Sequence, residues 1–167
     1  MKLRYKLTGS GWAEAVLEDE QSAVTVSASY LSDALGSLAR SALAVFRGSG
    51  EVRFSFDEEP GEYRWVLKKK EAQSYSLTIL LFTELWGNKP DGDGKVVFER
   101  EFSSIEYAKM VLKTLENVRH EYGDAGYKAK WHEHDFPSKE LDELHSLLDQ
   151  KEPIQIITAQ RASRVAD

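Results

Sequence analysis

The chain has 167 residues, a net charge of −6, 41% hydrophobic residues and no cysteine. The lack of cysteine excludes disulfide scaffolds, cysteine-ligated zinc sites and cysteine nucleophiles, and the negative charge disfavours nucleic acid as a partner because phosphate backbones repel it. Since there is no signal-peptide pattern and no apolar run of about 20 residues, we expect a cytoplasmic protein that does not enter a membrane.

The first part of the chain alternates apolar and polar residues, as Leu3, Tyr5 and Leu7 do with their neighbours. A period of two is typical of half-buried strands, and the short turns between the segments favour an antiparallel meander. The predicted strands span residues 3–7, 12–18 and 24–29. The apolar spacing then changes to three and four over residues 31–46, which predicts a helix.

The period of two returns after this helix. Val52, Phe54 and Phe56 open a second series of strands, separated by the turns DEEPGE and KKKEAQ and by the loop GNKPDGDG. Strands joined in series by short turns pair antiparallel. The four predicted strands span residues 51–56, 63–67, 75–82 and 96–98.

Two more helices are predicted in the C-terminal part of the chain. Ser103 and Glu106 have the spacing of a capping box, in which each side chain accepts a hydrogen bond from a free backbone amide of the other. Gly123 would end this helix, and an irregular connection would follow up to Pro137. Ser138 would then open a short helix that is rich in leucine.

The order βββ-α-ββββ-α-α predicts one α+β domain over residues 1–150, a mostly antiparallel sheet of about seven strands with the helices packed on one face. Residues 151–167 are predicted to be a tail, with an edge strand at 154–158 and disorder beyond it. A free edge strand can pair with a second copy of the chain, so a homodimer is a further expectation.

The segment WHEHDFP carries the strongest metal-binding pattern in the chain. His132 and His134 would project to the same side of an extended segment, and His120 could supply a third ligand to zinc or manganese. Glu133 would then be a candidate general base for metal-activated water. The alternative is that the segment is a solvated lead-in to the last helix with no cofactor, in which Trp131 is an apolar anchor.

The hairpin DEEPGEYRW concentrates carboxylates around one turn. Such carboxylates can perform general acid–base catalysis when they lie in a pocket, but exposed acidic clusters also steer association with basic proteins. Exposed tryptophans can anchor an interface. The predicted binding residues are Glu58, Glu59, Glu62, Arg64, Trp86 and Trp131.

No phosphate-binding glycine loop and no nucleophile elbow is present in the sequence. A pocket lined by Trp65 and Trp86 would make the chain a small-ligand binder, which is a third hypothesis beside protein binding and metal binding.

Residues 9–148 resemble an uncharacterised family of small acidic bacterial proteins. The resemblance is carried by the hairpin SFDEEPGEYRW and by the pattern Y-x-x-x-W-x-x-H-x-F-P, which runs from Tyr127 to Pro137. In size and layout the chain is also similar to immunity-type proteins, which neutralise a partner toxin. The favoured hypothesis is a non-enzymatic protein-binding module with a basic protein partner, and the alternative is a metal-binding protein or metal-dependent hydrolase.

Overall fold

The computed structural model describes the backbone of residues 1–163 and the side chains of residues 1–150. Seven strands and three helices follow one another in the predicted order, and the α+β class is confirmed. The elements are β1 (Lys2–Gly9), β2 (Trp12–Glu18), β3 (Ala23–Ser29), α1 (Ala34–Phe46), β4 (Glu51–Glu58), β5 (Gly61–Lys69), β6 (Ser74–Phe82), β7 (Lys95–Ser103), α2 (Ser104–Trp131) and α3 (Ser138–Ser163).

The strands form two antiparallel sheets rather than one, with the orders β1-β2-β3 and β4-β5-β6-β7. Strand β3 contacts β4, but in the described part of the chain no backbone ladder joins them. Side chains make the junction instead, since Ser27 donates to Glu58 and the Asp57 amide donates to the Ser32 hydroxyl over 3.0 Å. The connection through α1 thus places the two sheets side by side, while the backbone hydrogen bonds stay within each sheet.

One continuous core lies between the inward faces of both sheets and the three helices. Trp65 on β5 is completely buried there, as its position in phase with Tyr63 and Leu67 predicts. Helix α2 packs against β1 and β7, and α1 packs against β4, so the helices cover one face as predicted. The opposite face of the four-stranded sheet holds a second, small apolar cluster of Val66, Leu80 and Phe82.

Helix α2 begins with the predicted capping box, in which Ser103 accepts from the Glu106 amide and Glu106 accepts from the Ser103 amide. Gly123 interrupts it with φ 64° and ψ 169°. Helical turns then resume as far as Trp131, where the sequence predicted an irregular connection. The helix resumes because Tyr127 and Trp131 are four residues apart and therefore share a helical face, and both are fully buried in the core.

Helix α3 also extends further than predicted. The edge strand expected at 154–158 is replaced by helix, since α3 continues to Ser163. A short apolar run such as IQII does not distinguish strand from helix by its period alone, and here it follows a helix already anchored by Leu141 and Leu144. The homodimer expected through these residues therefore has no strand to form it. The disorder predicted beyond residue 158 is wrong for residues 159–163, which continue α3, and residues 164–167 lie outside the described residues.

Candidate functional site

The loop between β6 and β7, residues 83–94, folds over the outer face of the four-stranded sheet. It covers the small apolar cluster, and Gly94 lies so close to Phe82 that a Cβ at this position would be 2.6 Å from the Phe82 ring. The Arg64 guanidinium lies 4.2 Å from the centre of the same ring. Packing of Gly94 on Phe82 therefore holds the end of the loop against the sheet, and the cation–π contact of Arg64 with Phe82 joins β5 to β6 beneath it.

Asp91 fixes this loop to the sheet through two arginines. Its carboxylate accepts from Arg53 Nη1 at 2.6 and 2.8 Å and from Arg64 Nη1 at 3.1 Å. Arg64 also donates to the Lys89 carbonyl over 2.8 Å. The hydrogen bonds from both guanidinium groups hold the pKa of Asp91 below its usual value, although its partial burial acts in the opposite direction. One carboxylate thus joins the loop to two strands.

Trp86 is the most exposed large apolar side chain among the described residues, with 74% of its surface accessible. Its backbone has φ 54°, a left-handed conformation that is uncommon for a bulky residue. Its side chain lies near Asp57 and acts to lower the pKa of that carboxyl. Most of the indole ring faces solvent.

Asp57 and Glu62 stand directly opposite each other on β4 and β5, and each is only 8% exposed. Arg64 Nη2 donates to Glu62 over 2.7 Å, which compensates the Glu62 charge. No ion pair to Asp57 is found among the described residues. Burial raises the pKa of Asp57, the neighbouring Glu62 charge raises it further, and the nearby Trp86 side chain partly opposes both effects.

A cleft of about 530 Å³ opens beside this carboxylate pair. Its wall consists of the outer sheet face and the β6–β7 loop. The lining residues are Arg53, Phe54, Ser55, Glu62, Arg64, Trp86, Asn88 and Lys89. Because Trp65 faces the core, the predicted pocket between Trp65 and Trp86 does not form.

Backbone hydrogen bonds gather several turns at the same end of the molecule. The Leu85 amide donates to the Pro60 carbonyl over 2.7 Å, which places the β6–β7 loop against the β4–β5 turn. The Tyr30 amide donates to the Gly11 carbonyl over 2.9 Å. Since Ser32 contacts Asp57 as described above, the exposed residues Tyr30 and Leu31 lie on the same end as Trp86. Sequence patterns did not reveal this neighbourhood, because it joins segments distant along the chain.

The predicted binding residues fall into three groups. Glu59 and Trp86 are exposed and Glu58 is half-buried, so these three remain available to a partner. Glu62 and Arg64 form the ion pair already described on the outer face of the four-stranded sheet, and both line the cleft. Trp131 is fully buried in the core, so its role is structural and it cannot contact a partner directly.

The WHEHDFP segment forms the end of α2 and the approach to α3. His132 caps α2 with φ 68°, and its Nε2 lies 2.6 Å from the Ser10 hydroxyl. Within the described residues, no three histidine, aspartate or glutamate side chains come together as a group that could hold a metal ion. His120, His132 and His134 therefore do not assemble into the predicted zinc or manganese site.

The β4–β5 hairpin and the loop that carries Trp86 together have a net negative charge. Residues 53–64 and 83–94 together contain seven acidic and three basic residues. These 24 residues thus account for a charge of −4, out of −6 for the whole chain. We call the exposed part of these two segments, together with Tyr30 and Leu31, the Trp86 surface.

No helix in the described part of the chain is long and apolar enough to cross a membrane. No protein-family model, curated protein or solved structure gives a significant match to this chain.

Proposed function

We propose that this chain is a non-enzymatic protein-binding module that binds a basic protein through the Trp86 surface. The observation that carries the proposal is the exposure of Trp86, which lies in a loop that together with the β4–β5 hairpin has a net charge of −4. Tryptophan is among the residues that most often dominate binding energy at interfaces.

The charge of the surface supports a basic partner. Exposed carboxylates steer an oppositely charged protein during diffusional encounter and raise its association rate. Glu59 is exposed at the tip of the β4–β5 turn and Glu84 is exposed on the neighbouring loop. We place this binding in the cytoplasm. An immunity-type role with a basic toxin as the partner is the form of the proposal that the sequence resemblance favours.

The test compares partner binding by four forms of the protein. Tagged wild type, Trp86→Ala, Glu59→Lys and Glu71→Lys are each purified from cells that naturally produce the chain, and co-purifying proteins are quantified by mass spectrometry. The enriched protein is then purified and its affinity measured by interferometry. We expect Trp86→Ala to weaken binding by about 30-fold, since an interface anchor is worth about 2 kcal/mol or more.

Glu71→Lys is the matched control for Glu59→Lys. Glu71 is exposed in the turn that follows the other end of β5, roughly 30 Å away at about 3.3 Å per strand residue. We expect Glu59→Lys to slow association in low salt and Glu71→Lys to leave it unchanged. Equal binding by wild type and Trp86→Ala would refute the proposal.

A further inference from the structure

Strand β7 is the one sheet edge that the described part of the chain leaves open. It pairs with β6 on one side, and no backbone hydrogen bond among the described residues joins its other side to another segment. Helix α2 covers the edge of β1. The Thr114 hydroxyl donates to the Leu3 carbonyl over 3.0 Å, and the Leu7 amide donates to the Tyr122 hydroxyl over 3.3 Å. The other two edges, β3 and β4, lie against each other.

The open edge is regular over its second half. Residues 98–103 pair one to one with β6, and the register shift of this ladder lies before them. Glu99 stands opposite Thr78, which in turn pairs with Val66 of the small outer cluster. Glu99 and Glu101 are two residues apart, so both project from the outer face of the sheet, and both are exposed. A row of unpaired backbone groups with side chains of one charge thus faces solvent.

A groove of about 610 Å³ lies beside this edge. Arg100 lines it from β7, and because this residue stands opposite the buried Leu77, its side chain is on the inner face. Its guanidinium donates to Asp19 and, over 3.2 Å, to Gln21 in the β2–β3 turn, which forms the opposite wall with the start of β1. Glu20 of the same turn is exposed and has no ion pair among the described residues. The groove therefore offers space beside the strand for side chains that face inward.

The charges along the edge select what fits there. A second copy of β7 that paired antiparallel over this stretch would place Glu99 opposite Glu101 of the other copy, or each glutamate opposite its own counterpart. Like charges directly opposite each other destabilise a sheet, and charged side chains commonly protect edges from self-pairing. Lysine or arginine side chains two residues apart would instead face both glutamates.

We propose that the open edge of β7 binds an extended segment of a basic protein as an additional strand, whose lysine or arginine side chains alternate along it and face Glu99 and Glu101. The backbone ladder holds the segment, the paired charges set its register, and the groove beside Arg100 receives its inward-facing side chains. The inference goes beyond the proposed function, because this edge contains no residue of the Trp86 surface.

The experiment uses synthetic peptides, so the partner need not be identified first. ¹⁵N-labelled protein is titrated with the peptide acetyl-KVKVKVK-amide, and the shifts and deuterium exchange of its backbone amides are followed by NMR. The control peptide acetyl-KPKPKPK-amide has the same charge, but proline lacks the N–H that a ladder needs. We expect the valine peptide to give saturable shifts and to slow exchange of the outward-facing amides in residues 98–102. The proline peptide should not slow their exchange.

Two double variants with equal changes of charge test the role of the glutamates. Glu99→Gln with Glu101→Gln removes two charges from the edge, and we expect affinity for the valine peptide to fall about threefold or more. Glu14→Gln with Glu133→Gln removes two exposed charges elsewhere and should leave affinity unchanged. Glu14 lies on β2, which is paired on both sides.

Equal effects of the two peptides, no slowing of exchange in β7, or unchanged affinity in the Glu99/Glu101 variant would each overturn the strand-addition site. A dimer in solution whose β7 amides are already protected without peptide would also overturn it, since a second copy would then occupy the edge. Trp86→Ala should leave peptide binding unchanged. Failure at β7 therefore leaves the Trp86 proposal standing, and a partner that does not depend on Trp86 leaves the β7 site standing.

Discussion

Replacing Trp131 with alanine tests whether the end of α2 is part of the core. The indole is completely buried, stacks on Tyr127 with ring centres 6.2 Å apart and meets the edge of Tyr5 at 6.4 Å. Truncating a buried tryptophan typically costs about 3–5 kcal/mol. We therefore expect Trp131→Ala to lower the free energy of unfolding by about 4 kcal/mol, the middle of that range.

The measurement is urea unfolding followed by circular dichroism, with thermal unfolding as a second readout. For a domain of this size about 1 kcal/mol shifts Tm by roughly 2–4 °C, so the expected loss corresponds to about 8–16 °C. Trp131→Phe should cost less than half as much, since it keeps a ring and removes an indole N–H that has no partner among the described residues.

His134→Ala is the control within the same segment. His134 is only half-buried, and we expect its replacement to change stability by no more than about 0.5 kcal/mol. A loss below about 1.5 kcal/mol for Trp131→Ala, with an unchanged dependence on urea concentration, would mean that this tryptophan is not packed as described.

Three further predictions concern other parts of the molecule. Because burial raises the pKa of Asp57, the native state binds more protons than the unfolded state between the native and unfolded pKa values of this residue. The contribution of Asp57 to the free energy of unfolding should therefore fall as pH rises through that window, and Asp57→Asn should lack this dependence on pH. Urea midpoints of both proteins at pH 4 to 7 would show the difference, and identical slopes would contradict the prediction. A Cβ at Gly61 would lie 2.2 Å from the Phe82 carbonyl oxygen, so Gly61→Ala should lower the free energy of unfolding by about 2 kcal/mol or more. Gly50→Ala is the control, since a Cβ there meets nothing within 4 Å, and it should not destabilise the protein in the same urea assay. Ser103→Ala removes the capping hydrogen bond of α2 and should cost about 1 kcal/mol, with a loss near zero counting against the cap.

Local patterns were enough to predict the order of elements. The alternation of Leu3, Tyr5 and Leu7 places these residues on the buried face of β1, because the side chains of a strand alternate between its two faces. The capping box at Ser103 likewise fixes the start of α2 through contacts between residues three apart. Such features depend on neighbours in the chain, so sequence alone reveals them.

The errors occur where a local pattern is ambiguous. Gly123 predicted a helix end, and its backbone does depart from helical geometry. The helix nevertheless continues beyond it, because Tyr127 and Trp131 are buried on one face of the following turns. The apolar run at 154–158 has the composition of a strand, yet it continues α3. In the first case the outcome depends on packing in the core, and in the second it depends on the helix that precedes the run. Neither is contained in the short pattern.

The candidate site shows the same division. Residue types and spacing are enough to predict that carboxylates cluster on the β4–β5 hairpin. The pairing of Glu62 with Arg64, the position of Asp57 opposite Glu62 and the burial of Trp131 emerge only when the chain is folded. Charge is a property of each residue type, whereas burial and counter-ions depend on which distant segments the fold brings together.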